Sequence, residues 1–386
     1  MVMHHVLLAL AVLAAAAQAA IFAEMAIGNR RLRLLRDVPL PAEGEARPSI
    51  SVVVAARNEE RGVRAGVSSL LRLAGVDQVI AVDDRSDDAT GAILDELASA
   101  EPRLTVVHLT ELPTGWLGKN HALWRGAQAA TGELLLFTDA DVVMEPTAAE
   151  RAAAYLVREG MDHVTAAPEV RMPGRLLSVF GIAFGLFFTV FARPWKARDP
   201  ASRSHVGIGA FNLVRASAYR AAGTHRAVAM RPDDDIKLAK VLKKTGHRQD
   251  FVIGAGMLHV EWYASVRETV EGLKKNAFAG LDYSLPAVAA STLLHLAIYT
   301  WPWAAVWFAR GWAQGLYAVA IALMLSLFLG AAHLQGVPLR YGILFPVACL
   351  LFVYVVWNGT AYVLRTGGIE WRGTRYPLAE LRANRV

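Results

Sequence analysis

Apolar positions are arranged in two ways along this chain. Near the ends they form long unbroken runs, and between them they come in short bursts separated by polar turns. Val6–Ile27, Pro286–Phe308, Gly315–Leu334 and Tyr341–Leu364 are the long runs. Each holds about twenty residues, the length that spans a bilayer as a helix. In the middle, Ser49–Ala55 is a β-branched run and predicts a strand, followed by helical periodicity over Glu59–Leu73. The alternation continues with strands at Val76–Val82, Leu104–Leu109, Glu133–Phe137 and His163–Ala167. Helices are expected between them at Asp87–Leu97, Asn120–Ala130 and Pro146–Arg158. Strands alternating with helices predict an α/β domain with a mostly parallel sheet and helices on both faces.

Two further stretches are apolar on one face or nearly throughout. Leu176–Ala192 is flanked by Arg171, Arg175, Arg193, Lys196 and Arg198. Basic residues at both ends suit a helix lying in the membrane interface, and a core helix or a crossing are the alternatives. Val266, Val270, Leu273, Ala277 and Leu281 recur at helical spacing, with Arg267, Lys274 and Lys275 elsewhere on the helix. That is a basic amphipathic helix, preceded by the interface-type aromatics Trp262 and Tyr263, or else a core-packed helix with a solvated basic face. Arg36–Pro48 holds three prolines and reads as a linker.

Composition sharpens this picture. The 386 residues are 54% hydrophobic and 19% charged, apolar for a soluble protein. The first run carries its charges behind it, at Arg30, Arg31, Arg33 and Arg36, the reverse of a signal peptide. An uncleaved anchor is therefore expected, with the domain after it in the cytoplasm by the positive-inside rule. One crossing before the domain and three after it would leave the tail outside, whereas Arg365, Arg372, Arg375, Arg382 and Arg385 argue that the tail is inside. The single cysteine, Cys349, excludes an internal disulfide. The net charge of +6 suits an anionic bilayer surface and a phosphate-bearing substrate. No nucleic-acid-binding motif accompanies it.

The chemistry gathers at the expected C-terminal ends of the strands, where open α/β sheets bind ligands. Glu133–Phe137 runs into Thr138-Asp-Ala-Asp141. Residues i and i+2 of an extended chain share a face, so Asp139 and Asp141 are expected to aim at one point. A pair of hard oxygen ligands suits Mg²⁺ or Mn²⁺. The first strand ends in Ala55-Ala-Arg-Asn-Glu-Glu60, and the second in Val82-Asp-Asp-Arg-Ser-Asp-Asp-Ala-Thr90. Asp83 or Asp84 can accept from a nucleobase N–H, and Glu59 from a base or a ribose hydroxyl. Ser86 to Thr90 also read as an N-cap with a first-turn acid. Gly115-Trp-Leu-Gly-Lys-Asn120 sets Lys119 at a helix start, a position that makes sense beside a bound phosphate. Gly118 is expected to serve a tight turn. Gly207-Ile-Gly-Ala-Phe-Asn212 reads as a turn and strand near an acceptor. Asp233-Asp-Asp235 precede a helix, where they serve as caps or hold a general base.

Together these pieces resemble the family 2 glycosyltransferases with the GT-A fold. The matching residues are Ser51-Val-Val-Val-Ala-Ala-Arg-Asn-Glu59, Val82 to Thr90, Gly118-Lys-Asn120, Thr138 to Asp141 and Asp234-Asp-Ile-Lys-Leu-Ala239. The resemblance implies that the first two motifs, with Ala55, Arg57, Glu59, Asp83 and Asp84, hold the nucleotide of a UDP- or GDP-sugar, with Lys119 and Asp139 beside them. It implies that Asp139 and Asp141 bind Mg²⁺ or Mn²⁺ on the diphosphate. It also implies that the pair Asp234-Asp235 supplies the base, with Asp235 the acid the family pattern points to. The Gln/Arg-x-x-Arg-Trp motif of processive members is absent after the base, where the chain reads Val266-Arg-Glu-Thr-Val-Glu-Gly-Leu-Lys-Lys-Asn276. The layout, and the stretch Trp371-Arg-Gly-Thr-Arg-Tyr376, look more like lipid-directed members that glycosylate carotenoid, hopanoid or glycerolipid acceptors.

The expected organisation is an anchor at 1–28, a basic, proline-bearing linker at 29–48 and a GT-A catalytic domain at 49–284, with interface helices near 176–192 and 265–282. About three transmembrane segments at 285–364 and a basic tail at 365–386 follow. The expected activity is inverting transfer of a sugar to a hydroxyl of a membrane lipid, in a multi-pass protein of the cell's inner membrane. A polyisoprenyl-phosphate glycosyltransferase and a non-catalytic binding protein are the rival expectations.

Overall fold

A computed structural model of the protein describes residues 2–45 and 47–386. Met1, in the expected anchor, and Ala46, in the expected linker, lie outside the described residues. The chain divides into two compact units. One comprises 32–169, 193–261 and 370–386, and the other the N-terminal segment to Arg31, 170–192 and 262–369.

The first unit is built on an eight-stranded sheet. From edge to edge its strands are Arg33–Leu34, Gln249–Ile253, His163–Ala167, Asn212–Arg215, Leu134–Asp139, Ile50–Ala56, Gln78–Asp84 and Leu104–Leu109. All pairs are parallel except the two made by Asn212–Arg215, which runs antiparallel to both neighbours. Ile50–Ala56 and Leu134–Asp139 are buried almost throughout, as strands covered on both faces must be. Val53, Ile80, Val82, Leu135 and Phe137 pack with Ala122 and Leu123 of the helix Gly118–Ala129. Leu238 and Leu242 of the helix Asp234–Lys244 join the same cluster. Apolar spacing thus seats both helices on the sheet, and with them Lys119 and Asp235 at their first turns. Within 29–48, Arg33–Leu34 pairs with Val252–Ile253 at the sheet edge, and Leu35 and Val38 are buried.

The second unit is helical. Among the described residues, four helices are long and apolar enough to cross a membrane: Met3–Asn29, Arg175–Lys196, Trp312–Leu334 and Leu339–Thr366. The run expected at Pro286–Phe308 is broken into Leu285–His295, a π-helical turn Leu296–Thr300, and Trp301–Phe308. Leu285–Phe308 is also bent by 105° against the helical stretch Val266–Leu281. Arg175–Ala192 buries Leu177, Phe180 and Ile182 in one cluster with Val270, Leu273, Phe328 and Phe345. It cannot cross a bilayer alone. His163–Ala167 before it and Asn212–Arg215 after it are hydrogen-bonded in one sheet, so both lie on the same side. The helix Val266–Ala277 is capped by Ser265, whose Oγ accepts from Glu268 N–H (3.1 Å), and Glu268 Oε2 reaches back to accept from Ala264 N–H (3.0 Å).

Candidate active site

Parallel pairing brings three strand ends level. Ala55 lies opposite Asp139 on one side and Val82 on the other, and Ala56 lies opposite Asp83. The loops that leave these strands bind each other. Asn58 N–H donates to Ser86 Oγ (3.1 Å), Glu59 N–H to Thr90 Oγ1 (2.8 Å) and Glu60 N–H to Asp88 Oδ2 (3.2 Å). The expected N-cap is met in part. Ala89 precedes the helix and offers no cap, but Asp88 Oδ1 accepts from the N–H of Thr90, the first helical residue (2.9 Å), while its other oxygen holds the neighbouring loop.

Asp83 and Asp84 are both buried. Asp83 Oδ1 accepts from Ser86 N–H (3.2 Å), and its Oδ2 is 3.0 Å from His108 Nδ1. Hydrogen bonds to Asp95 and Asp83 raise the His108 pKa. Arg85 forks onto Asp84 at 2.8 and 3.1 Å, and Arg57 stands 3.8 Å from it. Sequence reasoning quoted Arg85 only as part of a motif and passed over His108, which carries no local signal.

Lys119 is the hub. Its Nζ is 2.6 Å from Asp139 Oδ1 and 3.7 Å from Asp234 Oδ1. Burial opposes its charge, but Asp139, Asp234 and Asp235 outweigh burial and raise its pKa. These four residues line one small cavity with Thr138, Gly209, Asn212 and His225. The three acids before the helix separate by partner. Asp233 takes a fork from Arg231 at 2.8 and 2.9 Å. Asp234 faces Lys119. Asp235 Oδ2 accepts from Gly209 N–H (2.7 Å), and its Oδ1 from Ile236 N–H (2.8 Å). Burial raises the Asp235 pKa against the pull of Lys119. Asn120 ties the loop before these acids to the Lys119 helix, donating to Val228 O (2.8 Å) and Arg231 O (2.9 Å).

Two glycines explain how the segments close up. A Cβ on Gly207 would meet Asp235 O at 2.0 Å, and one on Gly209 would meet Asp139 Oδ2 at 2.7 Å and Lys119 Nζ at 3.4 Å. Gly118 has a related role, which corrects the tight-turn expectation. It opens the helix with an ordinary φ, and a Cβ there would meet Asp84 Oδ2 at 2.3 Å. The left-handed turn residue of this loop is Gly115, at φ +82.

The extended geometry expected through Asp139 and Asp141 is also corrected. The strand stops at Asp139, and Ala140–Asp141 form a turn before Val142–Met144. Gly66 lets this turn approach closely, since a Cβ there would lie 2.0 Å from Ala140 O. The two carboxylates remain electrostatic neighbours. Although Asp141 is exposed by area, lost hydration first, then Asp139 and Glu59, push its pKa up to about 6. Crowded carboxylates of this kind fit a hard divalent cation. Among the described residues no cluster of three or more His, Cys, Asp or Glu is placed to hold a metal ion alone, so water and a ligand's oxygens would have to complete the shell.

Residues 51–222 match the sequence model of Glycosyl transferase family 2. A 4,4'-diaponeurosporenoate glycosyltransferase of Staphylococcus haemolyticus is 24% identical over 378 residues, covering 91% of this chain and 94% of the relative. One from Staphylococcus aureus is 22% identical over 360 residues, covering 86% and 89%. Among solved structures, mannosyltransferase PcManGT from Pyrobaculum calidifontis, in complex with GDP-Man and Mn²⁺, aligns with a TM-score of 0.54 at 19% identity. It covers 91% of this chain and 99% of that one, and shares the fold.

Proposed function

We infer that this chain, a glycosyltransferase with a family 2 domain of GT-A fold, moves a sugar from a nucleotide-diphosphate sugar to the hydroxyl of a membrane lipid, with inversion at the anomeric carbon. The observation that carries this reading is the convergence of Lys119, Asp139, Asp234 and Asp235 on one cavity at the C-terminal rim of the sheet. Ala55, Arg57, Glu59, Asp83 and Asp84 surround the nucleotide. The Lys119 ammonium meets the diphosphate at a helix N-terminus. Asp235, its carboxylate oriented by the Gly209 and Ile236 amides, takes the proton of the acceptor hydroxyl as that oxygen attacks the anomeric carbon. The bond to the diphosphate breaks on the opposite face, and the diphosphate leaves with the electron pair. A raised pKa brings Asp235 closer to the basicity that this transfer needs. Asp139 and Asp141 would hold Mg²⁺ or Mn²⁺, which supplies charge neutralisation of the leaving diphosphate.

The apolar helices support a membrane-resident acceptor and a multi-pass arrangement. The tail 370–386 packs within the same unit as the sheet, so any crossings between 262 and 369 must be even in number. Two crossings, by Trp312–Leu334 and Leu339–Thr366, with the broken stretch before them not passing through, reconcile the basic tail with a cytoplasmic domain.

A second reading is favoured by the name of the staphylococcal relatives, because the ending of diaponeurosporenoate denotes a carboxylate. A carboxylate acceptor arrives without a proton and needs no base. One variant separates the two. Asp235→Asn should cut transfer to a hydroxyl acceptor by about 10²- to 10⁴-fold. Transfer at the wild-type rate to hydroxyl lipids would overturn the assignment of Asp235. Retained transfer confined to carboxylate lipids would establish the second reading.

A further inference from the structure

The last residues of the chain fold back onto the donor rim. Gly368–Trp371 and Thr374–Pro377 form a hairpin. Its two turn residues, Arg372 (φ +51) and Gly373 (φ +74), are both left-handed, as a two-residue type I′ turn requires. Glycine adopts that conformation freely and arginine does not, so the hairpin holds Arg372 at its tip at some cost. The Arg372 guanidinium is ion-paired with Glu59. Arg57 Nη1 donates to Thr374 Oγ1 at 3.4 Å. Tyr376, only 5% exposed, accepts the Gly118 N–H at 3.1 Å and lies near enough to Arg85 to affect it electrostatically. Beyond the hairpin, Asn384 Oδ1 accepts from Met230 N–H (2.9 Å), its amide donates to Ala227 O (3.1 Å), and Lys240 Nζ donates to Val386 O (2.6 Å).

We propose that Arg372 and Tyr376 are positioning residues for the nucleotide-sugar donor, and that the hairpin acts through Glu59, Arg57 and Gly118. The proposal rests on the donor-site reading above. Three side chains within five residues of the tail meet two separate donor motifs, the first at Arg57 and Glu59 and the other at Gly118, each more than 250 residues away in sequence. A tail packed merely for stability has no reason to select those loops. The contact at Gly118 is the most informative. Leu117 gives this helix no side-chain cap, so its first amides need outside partners. Gly118 is pinned between the Asp84–Arg85 fork and the Tyr376 hydroxyl, which fixes the first turn and therefore Lys119. Arg372 holds Glu59 in the same way, and Thr374 holds Arg57 against Asp84. The clamp acts through these groups on the bound nucleotide.

The test uses the full-length protein in detergent, with UDP and GDP, each with Mg²⁺, as the probes. Tyr376→Phe removes one hydroxyl. Arg372→Gln removes one charge, and Arg372→Lys partly restores it. Nucleotide Kd is expected to rise about three- to ten-fold in Tyr376→Phe and Arg372→Gln, the size of one lost hydrogen bond or ion pair, with recovery in Arg372→Lys. Melting temperature without nucleotide should stay within about 2 °C of wild type in Arg372→Gln and fall by no more than about 5 °C in Tyr376→Phe, where the Gly118 amide loses its partner. An unchanged Kd with a lowered melting temperature would show a structural clasp and overturn the proposal. Tighter binding in the variants would show that the tail excludes the donor, and would overturn it equally. If the wild type binds neither nucleotide, the donor-site reading itself fails and takes this proposal with it.

Discussion

Gly209→Ala tests the site without removing any functional group. The substitution keeps the amide that donates to Asp235, and the backbone at 209 has no left-handed strain to relieve. What it adds is a methyl group 2.7 Å from Asp139 Oδ2 and 3.4 Å from Lys119 Nζ. Ordinary contact begins near 3.4 Å, so the carboxylate must retreat by about 0.7 Å. It is not free to swing, because its other oxygen is 2.6 Å from Lys119. The ammonium and the carboxylate therefore shift together, and these are the groups assigned to the diphosphate. Misplacement by about 1 Å costs on the order of 100-fold in rate, so a loss of about 10- to 100-fold in kcat is expected, or about 1.4–2.7 kcal/mol of transition-state stabilisation. The assay is transfer of radiolabelled sugar from a panel of nucleotide sugars to membrane lipid extract, with melting temperature measured in parallel. Wild-type kcat in a folded variant would refute the claim that Asp139 and Lys119 work as a unit at the reacting centre. So would a rate loss matched by an equal loss of folded protein.

Gly207→Ala should behave oppositely. Its Cβ would meet backbone, Asp235 O at 2.0 Å and Asp235 C at 2.6 Å, so the helix start must move and stability should fall by about 1–3 kcal/mol; an unchanged melting temperature would contradict that packing. Acid should weaken the domain through His163, which is buried, has its Nε2 3.0 Å from Asn212 Oδ1, and has a pKa pulled down to about 4 by burial. The unfolded chain binds this proton more readily, so the stabilisation is complete above about pH 6.5 and fades as pH falls to about 4, by about 3 kcal/mol in all. His163→Gln should flatten the fall in melting temperature across that window, and an equal slope in variant and wild type would exclude His163 as its source.

The fold was legible where it is local. The strands Leu104–Leu109 and His163–Ala167 have the same ends in the structure as in the sequence pattern, because each is an apolar run cut off by polar turn residues. The alternation predicted an α/β domain with a mostly parallel sheet, and the resemblance carried by five stretches implied the GT-A architecture. The Asp-x-Asp turn was not legible, since the room for the Ala140 carbonyl is left by Gly66, far away in sequence. The edge strand Arg33–Leu34 was hidden for a similar reason. Two residues carry no periodicity, and their pairing with Val252–Ile253 is purely tertiary.

The site divides along the same line. Carboxylates at strand ends announce themselves, because few structural needs put several acids at the rim of an apolar sheet. The groups that set their chemistry do not. Lys119 suggested a bound phosphate, but its pairing with Asp139 and Asp234 depends on two helices seated in one apolar cluster. The glycines 207 and 209 suggested a turn, and their purpose appears only when a Cβ is placed against Asp235 and Asp139. The tail is the extreme case. Trp371-Arg-Gly-Thr-Arg-Tyr376 has the composition of a solvated basic hairpin, and no local rule connects it to Glu59 or Gly118. Those contacts exist because the apolar segments between 262 and 369 return the chain to the unit it left, within reach of the donor loops. A change that kept the chain from returning to this unit would therefore separate Arg372 and Tyr376 from Glu59 and Gly118.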